Sequence, residues 1–401
     1  MQLYDSQLLR LLSFLTRKQA WLLPRDIAAS FRIDDAAISS RTIQRWFAFL
    51  REHGGFVYYP YPKSNQLGLQ DVLVRVRGVH NPVILGILPF AASFNVEVGL
   101  GDGRPFVSQA YWVPGDAVRE FEEYWETARD LGLLDGVDLL RSKNTHVIYS
   151  PFHEVITPDG FARIAEPMDN AYFAALIRRN LREKFEVRLS ERYTESPLVI
   201  PIVIEHIWRH YSSQHIWRAI QAAGDEQIMR YGRGMLKKAY ERPGSALRLV
   251  QQQWASLVEH FDEVFLQPRV LFDWPSLRNG TFVSFLIRTD TERMVEAAVR
   301  VSERAVFTAL NPGVGPEGLC HVRCFVPNDQ FLHVLRVVEE FHRGREPPEI
   351  ALQDREATVK LFQPTFCKVD WRLFDPETLA WEFHGEKYLE ALKGLKPEQA
   401  S

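Results

Sequence analysis

The fold is decided by residues 38–77, ISSRTIQRWFAFLREHGGFVYYPYPKSNQLGLQDVLVRVR, in which the apolar spacing changes from helical to strand. Ile43, Phe47 and Leu50 are spaced so that they lie on one face of a helix. A serine at 39 or 40 can cap that helix, since its hydroxyl oxygen accepts from unpaired amides of the first turn. Gly54-Gly55 ends it, because glycine adopts the left-handed cap conformation at little cost. The pattern predicts an amphipathic helix with a core face.

The opposite face of this helix carries hydroxyl, amide and guanidinium groups. They belong to Ser40, Arg41, Gln44, Arg45 and Arg51. Such groups can make hydrogen bonds to base edges or phosphates in the major groove of DNA. We therefore expect this face to contact DNA, against the alternative of an ordinary solvated helix surface.

Two strand-like stretches follow the helix, at residues 56–61 and 69–77, around the polar turn Pro62-Lys63-Ser64-Asn65. A helix that ends on glycines and is followed by a β-ribbon is the outline of a winged helix. In that arrangement Lys63 would lie in the wing and face a phosphate.

The motifs SSRTIQR, LREHGGFV and LGLQDVLVRVRG resemble the recognition helix, its end, and the entry into the effector domain of Lrp/AsnC-type transcription regulators. The resemblance covers residues 24–78. It departs from the family pattern at residues 32–37, which lengthen the turn before the recognition helix. It implies a winged helix-turn-helix followed by an effector-sensing domain.

Composition is that of a soluble multidomain protein. The chain has 401 residues, 46% hydrophobic and 25% charged, which is more than one typical core accommodates. Three cysteines argue against a disulfide framework. No run of 18 apolar residues and no leader-like N-terminus occurs, so we expect a cytoplasmic protein without membrane contact.

Charge is distributed unevenly. Residues 1–66 hold nine Arg or Lys against five Asp or Glu, a net charge of +4, whereas the whole chain carries −3. Only the N-terminal part has the sign that phosphate contact requires.

Residues 71–153 have the order strand, helix, strand, strand, helix, strand. The predicted strands are 72–76, 94–98, 107–113 and 145–149, and the predicted helices are 81–92 and 117–133. A βαββαβ order gives an antiparallel sheet with helices on one face. The fold class is therefore α+β, a winged helix-turn-helix followed by a ferredoxin-like domain.

The second half repeats the first. Gln44-Arg45-Trp46 and Pro60 return as Gln252-Gln253-Trp254 and Pro268, and Val113-Pro114 returns as Val326-Pro327. The second copy is more helical and lacks the arginines equivalent to 41 and 45. We interpret it as a degenerate winged helix that packs or dimerises.

These patterns divide the chain into five segments. They are a winged helix at 1–68, a ferredoxin-like domain at 69–158, a connecting helix at 159–196, a degenerate winged helix at 197–279 and a second ferredoxin-like domain at 280–401.

Other motifs give weaker signals. Cys320-His321-Val322-Arg323-Cys324 looks metal-like, but on a strand His321 faces away from both cysteines, which favours buried thiols. The glycine-rich loops 99–105 and 311–318 open no helix and indicate tight turns rather than phosphate sites. We expect no metal, no cofactor and no catalytic residue.

The favoured function is a DNA-binding transcription regulator and not an enzyme. Its DNA-contacting residues would be Ser39, Ser40, Arg41, Thr42, Gln44, Arg45, Arg51 and Lys63. The partners would be double-stranded DNA, a second copy of the chain in a homodimer, and a small-molecule effector bound at the ferredoxin-like domains.

Two alternatives stay open. The siroheme decarboxylases resemble Lrp/AsnC proteins and use paired copies of the same unit without binding DNA. In such an enzyme His146, His153 and Arg323 would be candidates for handling carboxylates. The other alternative is a scaffold whose winged helices bind protein.

Overall fold

The structure is a computed structural model, and it describes most of the chain. The described residues are 3–18, 20, 22–161, 170–194, 198–207, 213–224, 226, 230–231, 243–271, 279–314, 318–343, 347–361 and 369–396. The fold is α+β, as the sequence predicts.

The N-terminal module is a three-helix unit with a small hairpin. Its elements are α1 (Ser6–Thr16), α2 (Pro24–Ser30), β1 (Arg32–Ile33), β2 (Ala36–Ala37) and α3 (Ser40–Gly54). The extra residues before α3 form the β1/β2 hairpin. Asp34 and Asp35 turn it at φ of 48° and 65°, a left-handed conformation that Asp tolerates better than most residues.

The predicted recognition helix is α3. The Ser39 side chain accepts from the Thr42 amide at its start, and Gly55 ends it at φ of 57°. Ile43, Phe47 and Leu50 are buried. The capping and core residues of this helix are therefore those that the sequence predicts.

The first sheet domain is ferredoxin-like. After β3 (Val57–Pro62) it contains β4 (Leu69–Val79), α4 (Ile84–Ile87), β5 (Ala91–Gly99), β6 (Pro105–Pro114), α5 (Val118–Asp130) and β7 (Leu134–Ser142). Its strand order is β7-β4-β6-β5.

Two element predictions in this domain are wrong. The helix expected at 81–92 is a single turn, α4, because Pro89 stops it and Ala91 already belongs to β5. The fourth strand is β7, whereas residues 145–149 form a strand that joins the second domain.

The middle of the chain is mainly helical. It contains β8 (His146–Tyr149), α6 (Phe152–Val155), β9 (Ile156–Thr157), β10 (Gly160–Phe161), α7 (Ala171–Arg182), α8 (Glu191–Thr194), α9 (Val199–Ile207), α10 (Ser213–Ala222), α11 (Pro243–Glu259), α12 (Phe261–Val264) and β11 (Phe265–Leu271).

The second sheet domain repeats the first. Its elements are β12 (Gly280–Arg288), α13 (Thr291–Ser302), β13 (Phe307–Pro312), β14 (Leu319–Pro327), α14 (Phe331–Phe341) and β15 (Glu349–Gln353). The strand order β15-β12-β14-β13 matches that of the first domain. The chain continues with α15 (Arg355–Leu361), β16 (Phe374–Asp375), β17 (Ala380–Trp381) and α16 (Gly385–Lys393).

The two sheets join into one closed barrel. On one side β5 pairs with β15, with Glu97 opposite Gln353. On the other side a bridge joins Ser142 to Gly313, and β8 then runs along β13. Eight strands therefore enclose an interior, and β8 continues β7 past the closure.

A two-stranded ribbon replaces the predicted wing. β3 pairs with β11 of the second half, with Tyr59 opposite Arg269, and does not pair with β4. The expected β3/β4 wing is therefore not formed. Because the equivalent strands of the two copies satisfy each other's backbone groups, neither needs a local hairpin partner.

The helical module of each half packs on the sheet domain of the other half. The N-terminal module shares a core with the second sheet, for example through Leu12, Ile43 and Phe285. The helical module around Trp254 shares a core with the first sheet, including Tyr111. Each half is therefore stabilised by apolar surface that belongs to the other.

Within the described residues, no helix is both long enough and apolar enough to cross a bilayer.

Candidate functional site

The predicted DNA-reading face of α3 is open to solvent. Arg41, Gln44 and Arg45 are exposed, and no other residue in the described part of the chain bonds to their side chains. Ser39 and Thr42 are engaged in the helix cap, with their hydroxyl oxygens 2.9 Å apart. The remaining two members of the face are Ser40, half-buried, and Arg51, whose Nε donates to the Phe47 carbonyl over 3.1 Å.

Lys63 is not a wing residue that faces a phosphate. Its side chain is 5% exposed, and Nζ lies 2.9 Å from Glu183 Oε2. Nζ also donates to the Asp262 carbonyl. A buried ammonium needs such partners, so Lys63 joins the end of β3 to the second half of the chain. It is not available to contact a DNA phosphate.

The histidines and arginine of the enzyme alternative lie in three separate places. His153 lies on α6 against α1, with Nδ1 3.0 Å from Ser13 Oγ. His146 lies where the ribbon meets the barrel, and Arg323 lies inside the barrel. The fold therefore does not bring together the three residues that the sequence suggested as one carboxylate-handling set.

A buried polar cluster lies where the ribbon packs on one end of the barrel, and residues of both contribute to it. It consists of Tyr59, Tyr61, Asp71, His146, Tyr149 and Arg269, and we name it the Arg269 cluster.

Arg269 is the centre of this cluster. Its guanidinium carbon lies 3.1 Å from the centroid of the Tyr61 ring, and Nη2 donates to the Thr145 carbonyl over 2.8 Å. Nε is buried and has no acceptor among the described residues. Tyr61 and Arg269 are only half-buried, so the cluster reaches the surface at this point. A guanidinium with an unused N–H donor is suited to binding a carboxylate.

Asp71 supplies a titratable carboxyl. It is buried opposite Trp112 on the neighbouring strand, and Ser64 Oγ lies 3.1 Å from its Oδ2. Burial raises the pKa of Asp71 to about 7, although Ser64, Arg269 and Trp112 act in the opposite direction. At neutral pH the carboxyl is therefore available both as acid and as base.

The other members stay neutral. Burial, with Arg269 and Lys63, lowers the pKa of His146 to about 3, and its Nδ1 has no partner among the described residues. Burial raises the pKa of Tyr59, Tyr61 and Tyr149, and the charge of Arg269 opposes each rise. The cluster therefore combines one cation, one carboxyl poised near neutrality and neutral hydroxyl and imidazole groups.

A second polar set lines the inside of the barrel. Arg75 pairs with Glu349 at 2.6 Å, and Ser284 Oγ donates to Glu97 over 2.7 Å. Arg323 donates from Nη2 to a neutral amide, Gln353 Oε1, over 2.7 Å. The first two bonds join inward-facing residues of the two halves, and the third lies within the second half, so part of the inner face of the barrel is polar.

The Cys320 to Cys324 stretch contains no metal site within the described residues. Both thiols are buried on the outer face of β14, and burial raises the pKa of each. His321 faces the barrel interior instead, as alternation along a strand requires.

Sequence reasoning missed Arg269 and Asp71. The repeat contained a signal for Arg269, since Pro60 and Pro268 are equivalent and each is followed by a residue of the cluster, Tyr61 and Arg269. Asp71 carried no such signal, because a carboxylate in an apolar strand pattern does not reveal its partners.

No protein-family pattern matches the chain, and no curated protein matches it. Among solved structures, it is similar to the siroheme decarboxylase NirDL, with a TM-score of 0.45 and 9% identity over 96% of this chain and 98% of that one. NirDL in co-complex with an iron-uroporphyrin III analogue matches with a TM-score of 0.41 and 9% identity over 88% and 91%. An anthrone oxidase-like protein matches with a TM-score of 0.29 and 7% identity over 73% and 93%.

These comparisons bear on two of the predictions. The expectation that the chain is not an enzyme is contradicted, because NirDL is an enzyme. The fold class is α+β, as expected, whereas DNA binding and transcription regulation find no support in the comparisons.

Proposed function

We propose that this chain is an enzyme that removes carboxylate groups from a tetrapyrrole, and that the Arg269 cluster is its active site. The observation that carries the proposal is the half-buried Arg269 guanidinium, with a free Nε donor, beside the poised carboxyl of Asp71. The tetrapyrrole class is the one that the siroheme decarboxylase alternative implies.

Arg269 would bind the carboxylate to be lost. A charge-assisted hydrogen bond to a guanidinium contributes about 1.5–3 kcal/mol. Tyr61 lies against the guanidinium and the Thr145 carbonyl accepts from Nη2, which leaves Nε, a buried donor without an acceptor among the described residues, for the substrate carboxylate. Tyr61 also packs edge-to-face against the buried Trp112, with ring centroids 5.7 Å apart, which fixes the ring that lies against the guanidinium.

Asp71 would supply the proton. When the bond between the carboxylate carbon and the side-chain carbon breaks, the electron pair stays on the side-chain carbon. The protonated Asp71 carboxyl donates to that carbon, carbon dioxide leaves, and water restores the proton of Asp71. A donor with a pKa near the working pH suits this step.

The test is anaerobic incubation of the purified chain with siroheme, followed by mass spectrometry of the extracted tetrapyrrole. We expect products that have lost carbon dioxide. Arg269→Gln should lower kcat/KM by about 10- to 100-fold, as loss of a charged hydrogen bond implies. Arg25→Gln, at an exposed ion pair with Asp26, is the matched control and should leave turnover unchanged.

Two results would overturn the assignment. An unchanged tetrapyrrole mass with the intact chain rejects the reaction. Full activity of Arg269→Gln rejects the site.

A second candidate function rests on the exposed side chains of α3. Arg41, Gln44 and Arg45 form an open polar strip on a module of net positive charge. We propose that this strip binds double-stranded DNA, with Ser40 and Arg51 as further phosphate contacts. Lys63 takes no part, because it is buried.

Fluorescence anisotropy with a labelled random duplex tests this second function. Arg45→Ala should weaken binding and lower the salt slope by about one phosphate contact. Arg300→Ala, at a surface ion pair with Glu340 outside this module, is the control. Equal affinity of Arg45→Ala and the parent chain at every salt concentration excludes the strip as a DNA-binding surface.

A further inference from the structure

Several inward-facing positions of the barrel carry small residues. An eight-stranded barrel is just wide enough to be filled by side chains or to hold one small ligand. Six inward-facing positions carry small residues, namely Ser93, Ser108, Ala110, Ser284, Ala309 and Ala351. Arg323 lies between two of them, opposite Ser284 on one neighbouring strand and Ala309 on the other. Small side chains therefore flank its guanidinium on both neighbouring strands.

Pairing register identifies the inner face. Asn95, Ser108 and Arg75 share one face across β5, β6 and β4. Arg75 and Asn95 bond to residues of the second half, whereas the other face carries Tyr111, which packs on Phe121 of α5. The polar side chains therefore point into the barrel and not into the helix layer.

His321 offers an unused donor inside this space. It is 5% exposed, and the Asn311 side-chain nitrogen lies 3.0 Å from its Nδ1. An amide nitrogen can only donate, so Nδ1 accepts and the hydrogen resides on Nε2. Nε2 is buried and meets no partner in the described ranges. Burial, with Arg75 and Arg323, lowers the pKa of His321 to about 3, which keeps the ring a neutral donor.

Arg323 offers a second unused donor on the same strand face. Nη2 donates to Asn95 Oδ1 and Gln353 Oε1, both at 2.7 Å, and both acceptors are uncharged. Nε is buried and meets no acceptor within the described chain. Residues two apart on a strand lie about 6–7 Å apart on one face, so Arg323 and His321 carry their unused donors on the same inner face of β14.

Two buried N–H groups without acceptors destabilise the folded chain, because each has lost its hydrogen bonds to water without gaining another. A ligand that accepts from both would remove that cost. A carboxylate has two acceptor oxygens and no donor. Its charge would be attracted by Arg323 and Arg75, which both lower the pKa of His321, and the buried Glu97 carboxylate, which acts to raise the pKa of Arg323, is the opposing charge. An eight-stranded barrel holds at most one small ligand, so the remainder of the molecule must be small.

We propose that the barrel interior binds one small organic carboxylate between His321 and Arg323. This site is separate from the Arg269 cluster and does not rest on the proposed decarboxylation. Arg323 donates to Asn95 of the first half. The site therefore depends on residues of both sheet domains.

The test uses acetate as the probe, with chloride and sulfate as comparison anions, on the full chain. Nitrogen-15 NMR of the histidine rings reports on Nε2 of His321, and calorimetry gives the affinity. We expect acetate to shift the His321 Nε2–H resonance and to bind at least tenfold more tightly than chloride or sulfate. His321→Gln should weaken acetate binding at least tenfold.

A second variant separates binding from folding. Ala309→Leu keeps every donor and places a larger side chain opposite Arg323, so it should abolish acetate binding while the chain stays folded. Arg300→Gln, at a surface ion pair with Glu340, is the matched control and should bind acetate like the parent chain. Three results would each overturn the proposal: acetate that leaves the His321 resonance unchanged, equal affinity for chloride, or undiminished binding by a folded Ala309→Leu variant.

Discussion

Arg323 on β14 donates from Nη2 to Oδ1 of Asn95 on β5 over 2.7 Å, which bonds the second sheet domain to the first through the barrel interior. Asn95 also accepts from Gln353 Nε2 at 3.2 Å. One amide oxygen therefore serves two strands of the other half. The barrel is held together by polar side chains as well as by the β5/β15 ladder.

Removal of that shared oxygen should destabilise the barrel. We expect Asn95→Ala to lower the free energy of unfolding by about 1–3 kcal/mol, since it leaves a buried guanidinium short of an acceptor. Urea unfolding followed by circular dichroism measures the change. Asn279→Ala, an exposed asparagine that donates to Asp159, is the control and should cost less than about 0.5 kcal/mol. Equal losses in the two variants would contradict a structural role for the Asn95 oxygen.

Closure of the barrel predicts a steric limit at Gly313. This residue bridges Ser142, and its amide donates to the Leu319 carbonyl over 2.9 Å. A Cβ at this position would collide with that carbonyl and lie 3.4 Å from Leu140 Cδ1. Gly313→Ala should therefore cost about 1–3 kcal/mol of unfolding free energy.

Gly101→Ala is the matched control for Gly313→Ala, because a Cβ at Gly101 has nothing within 4 Å. Calorimetric unfolding of both variants gives the comparison. Should the two variants melt together, β7 and β13 do not meet at Gly313.

Local physics explains which parts of this fold the sequence could predict. The α3 helix was predictable because its N-cap Ser39, its apolar spacing and its C-cap Gly55 all lie within one short segment of the sequence. The β3/β11 ribbon was not, since Tyr59 and Arg269 are far apart in the chain and a lone β-ribbon is equally compatible with a wing. Which strands pair in a sheet depends on long-range packing, which the alternation of apolar and polar residues along a strand does not encode.

The candidate sites follow the same division. His146 and Arg323 were identified by residue type, because imidazole and guanidinium groups handle carboxylates on most folds. The other members of the Arg269 cluster were not identified, because Asp71 and Arg269 come close only when β11 pairs with β3. Lys63 shows the opposite error, since the sequence placed it in solvent and pairing with Glu183 buries it.

Asp71 should make stability depend on pH. Its pKa is raised from 3.8 to about 7, chiefly by burial, so the folded state holds the proton more tightly than the unfolded chain. The stabilisation by the protonated carboxyl is complete below pH 4 and is lost as the pH rises to 7. The groups that face it are Arg269, Ser64, Trp112 and Tyr61.

Asp71→Asn removes this titration. Relative to the parent chain, the variant should gain stability between pH 4.5 and pH 8, by about 2–4 kcal/mol. Urea unfolding at both pH values gives the difference, and Asp116→Asn, at an exposed position, serves as the control. A gap that stays constant with pH would show that Asp71 is ionised throughout the range.

His321 should act in the opposite direction. Its pKa is lowered from 6.5 to about 3, so the folded state excludes a proton that the unfolded chain accepts below pH 6.5. The neutral ring is stable above that pH, and stability is lost as the pH falls towards 3. Between pH 7.5 and pH 5 the parent chain should therefore lose about 2 kcal/mol more than His321→Gln. Unfolding curves at the two pH values measure this, with His53→Gln at an exposed position as control. If His321→Gln loses as much on acidification as the parent chain and His53→Gln, the ring accepts a proton inside the barrel, and its Nε2 is not held as a neutral donor between Arg75 and Arg323.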